Sequence, residues 1–78
     1  MKFYLISDNI DTLTGFRLAG VLGTVVRDRG DLETCLEKVR NDREVGIVLC
    51  TEKVSGMAPD LIQQMRQAHE RRLVAVIP

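Results

Sequence analysis

The chain of 78 residues has few of the side chains with which proteins usually stack bases or hold metal ions. It contains no tryptophan, one tyrosine and two phenylalanines, so aromatic residues make up only 4% of it. Proteins that bind single-stranded nucleic acids by stacking bases use more aromatic side chains than this. One histidine and two widely separated cysteines do not make a zinc-ligand spacing. The composition therefore predicts neither nucleic-acid binding nor a bound metal.

An excess of one charge and a long hydrophobic run are also missing. Eleven basic and eleven acidic residues give a formal net charge of zero, so the sequence predicts no basic surface for nucleic acid or membrane lipid. No apolar run approaches the ~20 residues that span a bilayer, and the start of the chain has no signal-peptide pattern. Cys35 and Cys50 each lie in an apolar run, which is typical of buried, reduced thiols. We therefore expect a cytoplasmic protein without direct membrane insertion.

Short apolar segments alternate with amphipathic ones along the chain. Hydrophobic residues make up 45% of the sequence, enough for a globular core. The patterns predict strands at 3–6, 24–26, 45–50 and 73–77. They predict helices at 12–20, at 31–40 and from Pro59 onward. The expected N-caps are Asp11 or Thr12 for the first helix and Asp31 for the second. The inner face of the third helix is expected at Leu61, Ile62, Met65 and Ala68 or His69.

The predicted order, in which strands and helices alternate, determines the fold class. The run at 45–50 is continuously apolar, as in a strand that is covered on both faces of a parallel sheet, and 73–77 is a second continuous apolar run. Strands alternating with helices imply right-handed crossovers. The sequence thus predicts a single α/β domain over residues 1–78. We expect a four-stranded parallel sheet in the flavodoxin-like or receiver-like doubly wound order 2-1-3-4, with helices on both faces.

In such sheets, ligands bind at the carboxyl ends of the strands, so this rim is where a catalytic or binding site is expected. A dinucleotide site needs a glycine-rich turn after the first strand, and the turn here carries carboxylates instead. A receiver domain needs an aspartate where Cys50 or Thr51 stands. A cysteine nucleophile needs a base, and His69, the one histidine, is predicted on a helix far along the chain. The predicted rim consists of Ser7, Asp8, Asn9, Asp11, Cys50, Thr51, Glu52 and Lys53.

One stretch carries a specific family resemblance. Residues Ser7–Val21 closely resemble the N-terminal signature of the F subunit of the V/A-type rotary ATPases, and Asp11–Gly20, which reads DTLTGFRLAG, is its most specific part. Two weaker matches follow in the same order. Glu44–Lys53 is similar to the family's third strand and its Thr-Glu exit, and Val74–Pro78 is similar to the fourth strand, which closes in Ile-Pro.

The resemblance implies a non-catalytic component of the central stalk, or rotor, of a proton- or sodium-translocating ATPase or ATP synthase. Such a component binds the coiled-coil D subunit of the stalk and, through it, couples the catalytic ring to the membrane rotor. It has no cofactor and lies on the cytoplasmic side, peripheral to the membrane. Members of the family usually continue past the Ile-Pro into a C-terminal tail with a helix. The sequence is therefore expected to correspond to the family's N-terminal domain without that tail.

The sequence alone does not determine the face that binds the partner. The expected contact residues lie on the first helix, in a charged turn and at the carboxyl-end rim. For two of them an alternative stays open: Phe16 packs under the sheet, and Arg17 pairs with Asp8 or Asp11. The alternative function is a small receiver-like or ligand-binding regulatory domain. The predicted contact residues are Phe16, Arg17, Arg27, Asp28, Arg29, Glu52 and Lys53.

Overall fold

The computed structural model describes residues 1–68 and 72–78. Their apolar segments form the four predicted strands, and the amphipathic segments between them form helices. In chain order the elements are β1 (Lys2–Ser7), α1 (Ile10–Leu18), β2 (Leu22–Val25), α2 (Arg29–Arg40), β3 (Val45–Thr51), α3 (Glu52–Met57), α4 (Pro59–Ala68) and β4 (Leu73–Ile77).

The strands form one parallel sheet in the order β2-β1-β3-β4. This confirms the predicted class and strand order. Leu5 of β1 pairs with Leu49 of β3, which in turn pairs with Ala75 of β4. Since paired residues of neighbouring parallel strands project to the same side and side chains alternate along a strand, this register assigns every strand position to one of two faces. β2 and β4 are the edge strands.

Both predicted N-caps were wrong. The first helix begins at Ile10 because the Oδ1 atom of Asn9 accepts a hydrogen bond from the backbone N–H of Thr12 at 2.8 Å. The second helix begins earlier than expected because Asp28 accepts from the N–H of Asp31 at 2.8 Å. In each case an Asn or Asp two or three residues upstream of the predicted cap is in extended conformation, as an N-cap requires.

Two further boundaries differ from the prediction. The polar segment after β3 forms the short helix α3, which was not predicted. The hydroxyl of Thr51 caps it by accepting a hydrogen bond from the N–H of Val54 at 3.3 Å. The first helix ends at Leu18, and Gly20 turns the chain with φ 89°, a left-handed conformation that favours glycine. The chain therefore enters β2 at Leu22, two residues earlier than expected.

One face of the sheet, here called the covered face, carries the main hydrophobic core. Ile6, Val48 and Cys50 project from its central strands and are fully buried. They belong to one cluster with apolar side chains of α2, α3 and α4, among which Leu32 and Met65 are also fully buried. Three helices thus share the covering of this face.

The opposite face is packed by α1. Leu13 of this helix lies over Leu5 and Gly23, at the side of the sheet formed by β1 and β2. A Cβ atom at Gly23 would collide with the carbonyl oxygen of Leu5 and would lie 2.8 Å from Cδ1 of Leu13. Glycine at this position therefore lets the helix approach the sheet closely. The prediction of helices on both faces is confirmed: of the helices in residues 1–68 and 72–78, three lie on one side of the sheet and one on the other.

Candidate protein-binding site

The carboxyl-end rim is organised by a hydrogen bond between two strands. The hydroxyl of Thr51, at the end of β3, donates to Oδ1 of Asp8, just after β1, at 2.7 Å. This bond holds the pKa of Asp8 below its usual value, against a smaller opposing effect of burial, so the carboxylate is ionised at neutral pH. A shallow depression of about 470 Å³ lies here, lined by Asp8, Asn9, Thr12, Thr51, Glu52, Lys53 and Pro78.

Two residues predicted at this rim are not available to a ligand. Ser7 is fully buried and its hydroxyl is used locally, donating to the carbonyl of Asn9 at 2.9 Å. Cys50 is fully buried on the covered face, where burial raises the pKa of its thiol. Burial likewise raises the pKa of Cys35. Both cysteines are buried free thiols, as predicted, and His69 lies outside the described residues.

The charged turn Arg27–Arg29 lies at the start of α2 and is largely engaged within the chain. The Arg29 guanidinium forms a two-pronged ion pair with Asp60 at 2.9 and 2.7 Å, and this lowers the pKa of Asp60 to about 2. Asp28 caps the helix. The turn therefore joins the beginnings of α2 and α4, and the side chain of Arg27 stays exposed.

Phe16 and Arg17, adjacent in α1, have different surroundings. Phe16 is half-buried and borders an apolar groove of about 570 Å³ whose other walls include Met1, Phe3 and Leu49. Arg17 is exposed and joins none of the ion pairs found among the described residues. The alternative in which Arg17 pairs with Asp8 or Asp11 is therefore wrong.

Sequence reasoning missed the apolar floor of this groove. Phe3 is 44% exposed and Leu73 is 67% exposed, although both belong to apolar runs that were predicted as strands. The continuous apolar pattern indicates that these faces avoid water. It does not show which part of the chain covers them, and within the described residues α1 reaches only the β1–β2 side.

A second missed residue is Arg72, which precedes β4. Its guanidinium donates to the carbonyls of Arg40 at 3.1 Å, Asp42 at 2.8 Å and Val45 at 3.0 Å. These carbonyls belong to the end of α2, the following turn and the start of β3. Arg72 thus fixes the beginning of the edge strand.

Neither a metal site nor a membrane span is found among residues 1–68 and 72–78. In this part of the chain no group of three or more His, Cys, Asp or Glu side chains is placed to hold a metal ion. None of the helices described there combines the length and the apolar character needed to cross a membrane. Two features of the described chain stand out as candidate binding surfaces, the rim around Asp8 and the apolar groove beside Phe16.

Comparison with known proteins adds a family to this geometry. The family model described as ATP synthase (F/14-kDa) subunit matches residues 4–78. No curated protein and no solved structure gives a match. The matched region contains the whole sheet from Tyr4 onward together with the signature Asp11–Gly20. The chain therefore belongs to the ATP synthase (F/14-kDa) subunit family, the F subunits of V/A-type ATP synthases.

Proposed function

We propose that this chain is a non-catalytic component of the central stalk of a V/A-type rotary ATPase or ATP synthase. The observation that carries the proposal is the family match over residues 4–78, essentially the whole chain. In this role it binds the coiled-coil D subunit of the stalk and helps to couple ATP hydrolysis or synthesis to proton or sodium transport. It works on the cytoplasmic side, peripheral to the membrane, and needs no cofactor.

The exposed apolar residues of the sheet support a role in protein binding. Parallel sheets are almost always covered on both faces, and contiguous exposed apolar surface commonly marks an interaction site. Here Phe3 and Leu73 are exposed next to half-buried Leu49 and Phe16. A protein that works within an assembly can keep such a surface because a neighbouring chain covers it.

Six of the seven predicted contact residues form two groups with respect to this surface, and the seventh, Arg17, is exposed on α1. Phe16 borders the groove, and Glu52 and Lys53 lie at the carboxyl-end rim; we propose these three as contact residues. Arg27, Asp28 and Arg29 lie at the start of α2, and the local bonds of Asp28 and Arg29 favour a structural role for this turn.

The receiver-like alternative gains no support from the rim. A phospho-acceptor site needs a cluster of carboxylates around the acceptor, whereas Asp8 accepts a hydrogen bond from Thr51 and has Lys53 beside it. Labelling with a small phosphoryl donor, with Asp8→Asn as the control, separates the two functions. Stable labelling that Asp8→Asn abolishes would favour the receiver.

The direct test is co-purification with the cognate coiled-coil protein of the stalk. The proposal predicts a stable complex at micromolar concentration and no ATP hydrolysis by the chain alone. Circular dichroism of the same preparation shows whether the chain is folded. A folded chain that forms no complex with the coiled coil would contradict the proposal.

A further inference from the structure

The uncovered part of the second sheet face has the form of a slot. Its floor is made by side chains of β1, β3 and β4 on the same side as Leu5, namely Phe3, Ile47, Leu49, Leu73 and Ala75. Among the described residues, none of the positions on this side of the three strands carries a charged side chain. An occupant of the slot must therefore present an uncharged surface to it.

The width of the slot suits one α-helix. α1 lies over β1 and β2, so β3 and β4 are left bare together with the near side of β1. Neighbouring strands are about 4.8 Å apart, so these strands make a strip of roughly 10 Å, the diameter of a helix with its side chains. In α/β proteins such strips are covered by helices that lie along the strands.

The side of α1 that borders the slot is also built for packing against a helix. Thr12 and Phe16 of α1 and its C-cap residue Ala19 follow one another at i, i+4 and i+7, so they lie along one side of the helix. Phe16 and Ala19 line the apolar groove, and Thr12 lines the depression at the rim. The slot thus has an apolar floor and an uncharged helical wall, and its wall includes Phe16 of the family signature.

A second copy of the chain does not fit this surface well. The floor consists of five side chains, of which Ile47 and Leu49 are half-buried, so it is no larger than the largest apolar patch of an ordinary monomer, about 300–600 Å². Each partner of a standard interface buries about 800 Å². In addition, α1 projects above the sheet beside the slot and keeps the flat sheet face of a second copy from approaching it.

The charges at the carboxyl end of the slot indicate what the occupant carries there. Asp8 and Glu52 each contribute a negative charge and Lys53 contributes one positive charge, so this end is net negative. Basic side chains on the occupant are complementary to it.

We propose that the slot receives one amphipathic α-helix of the coiled-coil partner, which lies along β3 beside α1 and places basic residues against Asp8 and Glu52. The proposal rests on the proposed function, because it takes the stalk coiled coil as the partner. The a and d residues of a coiled coil are buried in its own seam. The docking segment must therefore carry a second aliphatic stripe outside that seam.

Two matched pairs of variants test this with the 78-residue chain and the cognate coiled-coil protein. Ala19→Arg puts a long charged side chain at the wall of the slot, whereas Leu18→Arg puts the same residue on the exposed outer side of α1. Arginine suits the C-terminal end of a helix, so neither change should impair folding. Leu73→Glu alters the floor, and Val76→Glu alters the opposite face of the same strand.

Calorimetric titration is expected to show that Ala19→Arg and Leu73→Glu weaken binding at least about tenfold, the effect of a central interface residue. Leu18→Arg and Val76→Glu are expected to stay within about threefold of the unmodified chain. Glu52→Lys should also weaken binding, and the loss of affinity should be larger at low salt than at high salt. Thermal unfolding of each variant shows that the chain is folded.

The failures of the two proposals are distinguishable. If the unmodified chain does not bind the coiled coil, the proposed function fails. If it binds but Ala19→Arg and Leu73→Glu bind equally well, only the helix slot is overturned. A dimer in light scattering that Ala19→Arg dissociates assigns the slot to a second copy and overturns the helix slot. If the amide NMR shifts of the slot residues differ between the 78-residue chain and a longer natural chain, both without the partner, the slot is assigned to the chain itself and the helix slot is overturned.

Discussion

Leu5 and Ile6 are neighbours in β1 and both are fully buried, but different parts of the molecule bury them. Ile6 lies under the cluster of α2, α3 and α4, whereas among the described helices it is α1 that packs over Leu5. On the covered face, three of the described helices pack on the apolar side chains of the central strands. On the other face they continue past α1 into the slot at Phe3, Leu49 and Leu73. The difference shows that the sheet has more apolar surface than the described helices cover.

The largest difference in stability between the two faces is expected when one leucine on each face is replaced by alanine. Leu32→Ala removes a fully buried side chain from the covered face and should lower the free energy of unfolding by about 2–5 kcal/mol. Leu73→Ala removes a side chain that is 67% exposed and should cost less than about 1 kcal/mol. Urea denaturation measures both, and equal losses would contradict the assignment of an open slot.

The next largest loss of stability is expected when the hydrogen bonds that fix the beginning of β4 are removed. Arg72→Met removes three hydrogen bonds to carbonyls at the end of α2 and the start of β3 and is expected to cost about 2 kcal/mol. Arg66→Met is the control, since Arg66 donates to one carbonyl, that of Val74, at an exposed position, and should cost less than about 1 kcal/mol. The role of Arg72 in fixing β4 is disproved if the two variants unfold at the same urea concentration.

Alanine substitutions at two glycines, Gly23 of β2 and Gly15 of α1, are expected to change the stability in opposite directions. Gly23→Ala would push a Cβ atom into the Leu5 backbone and is expected to cost about 1–3 kcal/mol. Gly15→Ala meets open space within α1 and should stabilise the chain by about 0.5–1 kcal/mol. Thermal unfolding of the two variants measures both changes in stability. A stabilising Gly23→Ala would mean that α1 does not press closely on the sheet.

The smallest effect is the pH dependence of the ion pair at the covered face. The pKa of Asp60 is about 2 in the folded chain and near 3.9 when unfolded. Because the folded value is the lower one, the stabilisation is complete above about pH 5 and is lost as the pH falls from about 4 towards 2. The difference in urea midpoint between the unmodified chain and Asp60→Asn should shrink over that interval. A difference that stays constant down to about pH 2 would contradict the pair.

Periodicity was sufficient to predict the sheet and its order, because continuous apolar strands separated by amphipathic helices leave few other arrangements. The N-caps of the helices were harder to predict than the strands. Asn9 and Asp28 act through a single hydrogen bond each, and several neighbouring residues could have made the same bond. The short helix α3 was missed because six residues are too few to show a helical period.

The candidate site was predicted only in part for a different physical reason. Phe16 and the rim at Glu52 and Lys53 follow from the signature and from the position of strand ends. The floor at Phe3 and Leu73 could not be predicted, because an apolar residue in a strand has the same sequence pattern whether a helix of the same chain or a partner covers it. Arg72 was missed because hydrogen bonds to distant carbonyls leave no pattern in the sequence.

The slot, and not the covered face, is the surface that we expect to bind the coiled-coil partner. Backbone NMR of the 78-residue chain during titration with the cognate coiled coil compares the two faces in one experiment. We predict that the largest changes in amide shift and intensity occur at Phe3, Ala19, Leu49 and Ala75, with the outer side of α2 at Glu33 and Glu37 unchanged. Changes concentrated on α2, with the slot residues unaffected, would contradict binding at the slot.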